Sequence, residues 1–220
     1  SAHLSDDEAR SRLLAEIEGE PLTDPRIIRY RTGRREKVWV KNCISIGLSS
    51  GFVEPLESTS IHLIQIYASR LVQMFPFSGF SDALANRFND LARIELERIR
   101  DFIVLHYKLT ERTDSDFWRR MGAMDIPESL QNRIDLFRDT GLAYQEKAEL
   151  FQVDSWLQVM MGQRLQPQGR HHLGRLMSEE QIKMALNGLR TKIADAVARL
   201  PEHQDFLDQY IREPELTAKL

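Results

Sequence analysis

The sequence predicts a mainly α-helical fold with a few β-strands near its N-terminus, and two observations lead to this prediction. After residue 60, apolar residues recur through most of the chain at the three- and four-residue spacing of a buried helix face. Before that point, short extended runs occur at 27–31, 38–40 and 41–46, separated by turn residues. We therefore predict a strand-containing segment over residues 1–60 and a helical domain over residues 61–220.

The first segment is predicted to begin with a helix, because Ser5 and Glu8 have the spacing of a capping box, and Gly19 should end it. The runs 27–31 and 38–40 are predicted to form a hairpin through a turn that contains Gly33. Three short strands are too few for a stable sheet of their own. We therefore expect them to be edge strands of a larger sheet whose other members precede residue 1.

The second segment is predicted to contain several helices joined by short polar stretches. Serines at several helix starts and a proline at another support these boundaries, because both residue types favour the first positions of a helix. In chain order, we predict a helix from about Ser58, one from Ser81 to 106–107, a turn-like stretch over 110–126, a helix after Pro127, a loop over 166–172 and a helix from Ser178 to Leu200, ended by Pro201.

Composition excludes several classes of function. The net charge of −3 and a pI near 6.1 give no basic surface for nucleic acid or an anionic membrane. The single cysteine, Cys43, excludes an internal disulfide, suits a reducing cytosol and is predicted to be a small buried hydrophobe. No apolar run approaches the length of a membrane span. We expect a soluble cytoplasmic protein. Because the sequence starts at Ser1 without a methionine, we expect it to be a piece of a longer one. A homodimer is one open alternative for its oligomeric state.

The run from Gly51 to Ser60 contains the residues that point most clearly to a catalytic function. It places the carboxylates of Glu54 and Glu57 on either side of Pro55, directly before a predicted helix. The first N–H groups of a helix have no partner within it, and the helix dipole makes that end attractive to anions. Carboxylates at such a turn therefore indicate acid–base chemistry beside an anion-binding site.

Residues 41–50 read Lys-Asn-Cys-Ile-Ser-Ile-Gly-Leu-Ser-Ser, and the chain continues from Gly51 through Pro-Leu-Glu-Ser-Thr-Ser to Gln65. This stretch, residues 41–65, resembles the flavin-dependent tryptophan halogenase family. The resemblance is most specific between Trp39 and Gln65 and extends in outline over most of the chain. It implies the C-terminal part of an α/β, two-domain halogenase fold of the FAD-dependent monooxygenase type.

The resemblance also implies site residues. Glu57 matches the catalytic glutamate that accepts the proton lost by the aromatic substrate, whereas Glu54 is expected to be structural. Thr59 and Ser60 match the two positions whose N–H groups hold the halide, although the family's better-known members have glycine at the second. The glycine-rich turn implies flavin contacts at Gly47, Ser50, Gly51 and Ser58.

On the substrate side, Tyr107, Phe117 and Trp118 match the family's aromatic clamp, in which rings enclose the substrate. Thr113 and Gly122 stand where partners for an amino acid's charged groups would be expected. The resemblance therefore implies an indole- or phenol-like aromatic substrate in preference to free tryptophan.

The implied reaction uses reduced FAD from a partner flavin reductase, oxygen, and chloride or bromide, and it halogenates the substrate through hypohalous acid. The sequence contains no Gly-x-Gly-x-x-Gly segment for the dinucleotide, and none of its lysines matches the family's catalytic lysine. We therefore expect these residues to be the C-terminal half of the enzyme and to be inactive alone. A non-enzymatic helical module and an FAD-dependent monooxygenase are the alternatives. The histidines follow no ligand spacing, so no metal site is predicted.

Overall fold

Eight helices make up most of the residues that a computed structural model describes, which are 4–146, 149–169 and 176–212. The contacts divide the chain into two units, residues 1–169 and 170–220. The first unit contains α1 (Asp6–Glu16), α2 (Ser60–Gln73), α3 (Asp82–Lys108), α4 (Asp116–Ala123), α5 (Glu128–Thr140) and α6 (Val153–Gly162).

The first helix begins as predicted. The Ser5 hydroxyl accepts the Glu8 N–H at 3.2 Å, and the Ser5 N–H donates to the Glu8 carboxylate at 2.9 Å, so the capping box is complete. The helix ends at Glu16, before the Gly19 that was predicted to end it. None of its side chains is buried, so α1 contributes little to the core.

The predicted hairpin is wrong, because the strands pair differently. Strand β1 (Gly33–Arg34) pairs antiparallel with β4 (Gly51–Phe52), and β2 (Trp39–Val40) pairs antiparallel with β3 (Cys43–Ile44). Residues 27–31 form no strand, and the turn of the true hairpin is at 41–42. Asn89 of α3 fixes that hairpin, since its side-chain oxygen accepts the N–H groups of Val38 and Trp39, each at 2.8 Å.

The prediction that Cys43 is buried is also wrong, because its side chain is exposed on β3. A two-stranded hairpin has one face without a covering layer, and the cysteine lies there while the neighbouring Ile44 packs against the core.

Helix α3 is the axis of the first unit, and its predicted extent is confirmed to within two residues. Its N-terminal half packs with α2 and the β2–β3 hairpin, and its C-terminal half packs with α5 and α6. The first cluster is built around Trp39, Tyr67, Phe88, Leu96 and Ile99, and the second around Phe102, Leu105, Ile134, Phe137, Trp156 and Met160.

The turn-like stretch predicted over 110–126 contains a helix, α4. Ser115 caps it, because its hydroxyl accepts the Trp118 N–H at 3.4 Å, and this start was missed among the surrounding polar residues. Helix α5 follows Pro127 as predicted and ends at Gly141, whose φ of 72° suits a residue without a Cβ.

In the second unit, α7 (Glu179–Val197) begins at the predicted Ser178 cap, where Ser178 and Gln181 form a capping box. It ends three residues before the predicted Leu200. A further helix, α8 (His203–Arg212), was not predicted. Of the predicted loop over 166–172, residues 170–172 lie outside the described part of the chain. No helix in that part is long and apolar enough to cross a lipid bilayer.

Candidate active site

The turn that carries the two carboxylates leads directly into α2. The Ser58 N–H donates to the Pro55 carbonyl at 2.9 Å, and Ser58 has a φ of 52°, in the left-handed region that non-glycine residues adopt rarely. The helix therefore begins at Ser60, two residues later than predicted, with Thr59 at the N-cap. This tight turn fixes the direction in which Glu57 leaves the backbone.

Glu57 is paired with a histidine at the end of α3. Its Oε1 atom lies 3.0 Å from His106 Nε2. The other ring nitrogen, Nδ1, lies 2.8 Å from the carbonyl oxygen of Phe102, one turn earlier in the same helix. The imidazole is thus held at both nitrogens, and the carboxylate of Glu57 is held through it.

Glu54 is paired with the next residue of α3. The Tyr107 hydroxyl donates to Glu54 Oε2 at 2.8 Å. Burial, and then the hydrogen bond to Glu54, raise the pKa of Tyr107 to about 12, so this phenol is a donor at neutral pH. The other carboxylate oxygen of Glu54 is buried without a hydrogen-bond partner in the described residues. This arrangement agrees with the structural role expected for Glu54.

The three aromatic residues of the predicted clamp lie together. The ring of Tyr107 stacks near-parallel to that of Trp118 at 6.0 Å between centroids and meets Phe117 edge-on at 6.2 Å. On its other side, Trp118 carries the guanidinium of Arg112 at 4.3 Å from the ring centroid, a cation–π contact. The cap at Ser115 orients both aromatic residues of α4 toward the end of α3.

A cavity of about 580 Å³ opens beside these rings, a volume that suits a small organic molecule. Its walls include Leu56, His106, Tyr107, Arg112, Trp118 and Arg164. Glu57 itself is not one of the wall residues, but its neighbour Leu56 and its partner His106 are. The guanidiniums on the walls are paired with carboxylates, Arg112 with Asp114 at 2.7 Å and Arg164 with Glu111 at 2.8 Å.

The head of α2 has the properties of an anion site. Thr59 is buried at the N-cap but makes no side-chain capping bond, and its carbonyl accepts the Leu63 N–H at 3.0 Å. The N–H groups before Leu63 therefore have no partner four residues earlier within the helix, and no acidic residue occupies the first turn.

Comparison with known proteins decides the family. A sequence model of tryptophan halogenases matches residues 1–179, most of the chain. The chain belongs to the flavin-dependent tryptophan halogenase family. The resemblance of residues 41–65 to this family is therefore confirmed.

Relatives and solved structures agree with this assignment. Tryptophan 7-halogenase RebH of Lentzea aerocolonigenes is 38% identical over 139 residues, which are 63% of this chain and 26% of RebH. The structure of BrvH, a flavin-dependent halogenase from Brevundimonas sp. BAL3, is 46% identical with a TM-score of 0.86. That of Xcc4156, a flavin-dependent halogenase from Xanthomonas campestris, is 42% identical with a TM-score of 0.88.

The two structural matches each cover 94% of this chain and 42% of the other. The chain thus spans about a quarter of RebH and about two fifths of these two solved halogenases. The helical fold with few strands is consistent with part of a halogenase fold.

The predicted flavin-contacting residues fall into two groups. Gly47, with a φ of 65°, packs so closely on Ile64 that an added Cβ would lie 2.7 Å from its Cγ1 atom. Ser50 is buried and donates to the Gly47 carbonyl at 2.6 Å, and Gly51 packs against Leu96 and β1. These contacts within the chain account for all three residues.

Ser58 differs from these three because it is exposed beside Glu57. It is the position of the predicted set whose surface is free to meet a flavin. An exposed Ser58 beside the turn therefore fits one edge of a flavin site.

Sequence reasoning missed the partner of Glu57. No role was predicted for His106, because it is 49 residues from Glu57 in the sequence and the histidines follow no ligand spacing. Within the described residues, no group of three or more metal-binding side chains is present, and His171 and His172 lie outside them.

Proposed function

We propose that the protein to which these residues belong is a flavin-dependent halogenase that chlorinates or brominates an indole- or phenol-like aromatic substrate. One observation carries the proposal. Glu57, at the head of α2, is paired with a wall residue of a cavity whose other walls include the rings of Tyr107 and Trp118. A carboxylate beside aromatic walls suits a reaction in which an aromatic ring loses a proton.

When bound, FAD reduced by a partner flavin reductase would supply, with dioxygen as the oxidant, the oxidation of the halide to hypohalous acid. The residues of this chain then have separate tasks. Ser58 borders the flavin, and the N–H groups of Thr59 and Ser60 hold the halide at the positive end of α2. Tyr107, Phe117 and Trp118 position the substrate ring, and Glu57 accepts the ring proton as the carbon–halogen bond forms.

The charges around the cavity support an aromatic substrate without an amino-acid group. Arg112 and Arg164 are already paired with Asp114 and Glu111, so neither guanidinium is free for a substrate carboxylate in the described arrangement. Thr113 offers no charge where an ammonium group would need one. An indole or phenol needs neither interaction.

The test is halogenation by the full-length protein with FAD, a flavin reductase and bromide or chloride, using a panel of indoles, phenols and tryptophan read by mass spectrometry. We expect halogenated indoles or phenols, and a loss of at least about 100-fold in turnover for Glu57→Gln, because removing a general base has effects of this size. Glu202→Gln, at an exposed position between α7 and α8, is the matched control. Hydroxylated products without halogenated ones would overturn the proposal in favour of a monooxygenase.

A further inference from the structure

The imidazole of His106 lies between two hydrogen-bond acceptors. One is the carbonyl oxygen of Phe102, 2.8 Å from Nδ1, which can only accept. The other is Oε1 of Glu57, 3.0 Å from Nε2, which can only accept when the carboxylate is ionised. A neutral imidazole has a single N–H, so it can satisfy one of these contacts and not both.

The two contacts of the imidazole together require a certain number of protons. The Nδ1 contact requires a proton on Nδ1, because a carbonyl cannot donate. The Nε2 contact then requires a further proton between Nε2 and Glu57, since two lone pairs 3.0 Å apart would repel each other. Both contacts are therefore hydrogen bonds only when the pair contains one more proton than a neutral histidine and an ionised glutamate have together.

The surroundings favour placing that charge on the ring. His106 is in the last turn of α3, where the negative end of the helix dipole stabilises a cation. The other polar and charged side chains near His106 have partners of their own. Tyr107 donates to Glu54, while Arg112 pairs with Asp114. On the same cavity wall, Arg164 pairs with Glu111. Glu57 is thus the carboxylate that the ring contacts.

We propose that His106 is the positioning residue of Glu57: as an imidazolium it donates to Oε1 and fixes the orientation of the carboxylate, leaving Oε2 to accept the substrate's proton. This inference rests on the proposed halogenase function. In the step, a ring carbon bonds to the halogen of hypohalous acid while the oxygen–halogen bond breaks toward oxygen. The ring's C–H bond then breaks, its electron pair restores aromaticity, and the proton passes to Oε2. With that proton, the released hydroxide becomes water, so arene and hypohalous acid give haloarene and water.

The location of the proton is measured directly by ¹⁵N NMR of the full-length protein labelled at histidine, at pH 7.5. The resonances are assigned by their loss in His106→Gln. We expect both ring nitrogens of His106 to be protonated in the wild-type protein. In Glu57→Gln, we expect Nε2 to lose its proton, because the amide can itself donate. An unprotonated Nε2 in the wild type, or no change in Glu57→Gln, would overturn the inference.

Kinetics with bromide and an indole test the catalytic consequence. His106→Gln should lower kcat by about 10- to 100-fold, as the loss of a hydrogen bond to a charged group does, with KM for the indole changed less than about twofold. His106→Lys, which returns a cationic donor, should recover part of that loss. His203→Gln, an exposed histidine on α8, should retain wild-type turnover.

Wild-type kcat in His106→Gln, or equal losses in the Gln and Lys variants, would refute the positioning role. The two proposals fail in different ways. Wild-type turnover in Glu57→Gln would remove Glu57 from the proposed function, while the NMR spectra would still report where the proton lies. If His106→Gln fails to fold, the comparison of the wild type with Glu57→Gln still decides the question, with assignment from the Lys variant.

Discussion

Replacing Arg133 with methionine should destabilise the first unit strongly, because it removes the nearer of the two guanidiniums that pair with the buried carboxylate of Glu149 and leaves the more distant Arg98, at 3.6 Å. Arg133, on α5, donates to Glu149 at 2.5 Å, and the two side chains are 3% and 1% exposed. The guanidinium also donates to the Tyr144 carbonyl at 2.6 Å and lies 3.8 Å from the centroid of the Trp156 ring. It therefore joins α5 and α6 where they support the end of α3.

The magnitude follows from this burial. Removing one partner of a buried ion pair costs about 3–5 kcal/mol, since the remaining charge loses its compensation. For a chain of this length, each kcal/mol lowers the melting temperature by about 2–4 °C. Arg133→Met should therefore melt about 6–20 °C below the wild type, as measured by circular dichroism or calorimetry at pH 7.5.

The matched control is Arg138→Met on the same helix. Arg138 pairs with Asp135 at 2.6 Å, but its side chain is 38% exposed, and exposed pairs contribute about 1 kcal/mol or less. The double variant Arg133→Met with Glu149→Leu should be more stable than Arg133→Met alone, because the buried carboxylate is removed together with its nearer guanidinium. Equal melting temperatures for Arg133→Met and Arg138→Met would refute the reasoning.

The loss of stability in Arg133→Met should depend on pH in a definite direction. Burial raises the pKa of the Glu149 carboxyl above its ordinary value, and the guanidinium of Arg133 opposes that rise. Without Arg133 the folded protein holds the proton to higher pH than the unfolded chain does. The contribution of the protonated Glu149 carboxyl to folding stability is then fully present below the ordinary pKa of about 4.5, and it is lost as pH rises through the raised value. The deficit of Arg133→Met should therefore grow between pH 5 and pH 8, and a constant deficit would contradict this.

Three further predictions concern the site and its supports. Tyr107→Phe should cost about 1–3 kcal/mol in urea unfolding, because Glu54 loses its donor. Since the pKa of Tyr107 is raised to about 12, its stabilising effect is complete below pH 10 and lost toward pH 12, and the phenolate absorbance step near pH 12 should be absent in the variant. Gly47→Ala should cost about 1–3 kcal/mol, since its φ is 65° and the Cβ would meet Ile64, and a similar loss should not occur for Gly188→Ala on exposed α7. Trp118→Ala should raise the KM for an indole about tenfold, whereas Trp118→Phe, which keeps a ring, should raise it less.

The helices were predictable because their signals are local. The apolar spacing of α3, the capping box of α1 and the serine cap of α7 each lie within one element, and the structure confirms them. The strands were not predictable in the same way. Strand β1 pairs with β4 across the whole β2–β3 hairpin, and two-residue strands have no periodicity to read. Nearby β-favouring residues at 27–31 gave the stronger but misleading pattern.

The candidate site was predictable to the extent that it is contiguous in sequence. The turn with Glu57 and the clamp residues were identified from the resemblance, and the structure brings the three clamp residues together. The pairing of Glu57 with His106 joins distant parts of the chain, so no local sequence pattern predicts it. It becomes visible only once α3 is packed against the turn.

That packing explains why the two carboxylates of the turn differ. Adjacent residues of a helix point in directions about 100° apart, so His106 and Tyr107 approach the turn from different sides. Tyr107 reaches Glu54 as a neutral donor, while His106 reaches Glu57 with a ring that can carry charge. A shift of the end of α3 would move both partners at once. The separation of a structural glutamate from a chemical one therefore depends on the packing of α3 against α5 and α6, which the Arg133 variant is designed to weaken.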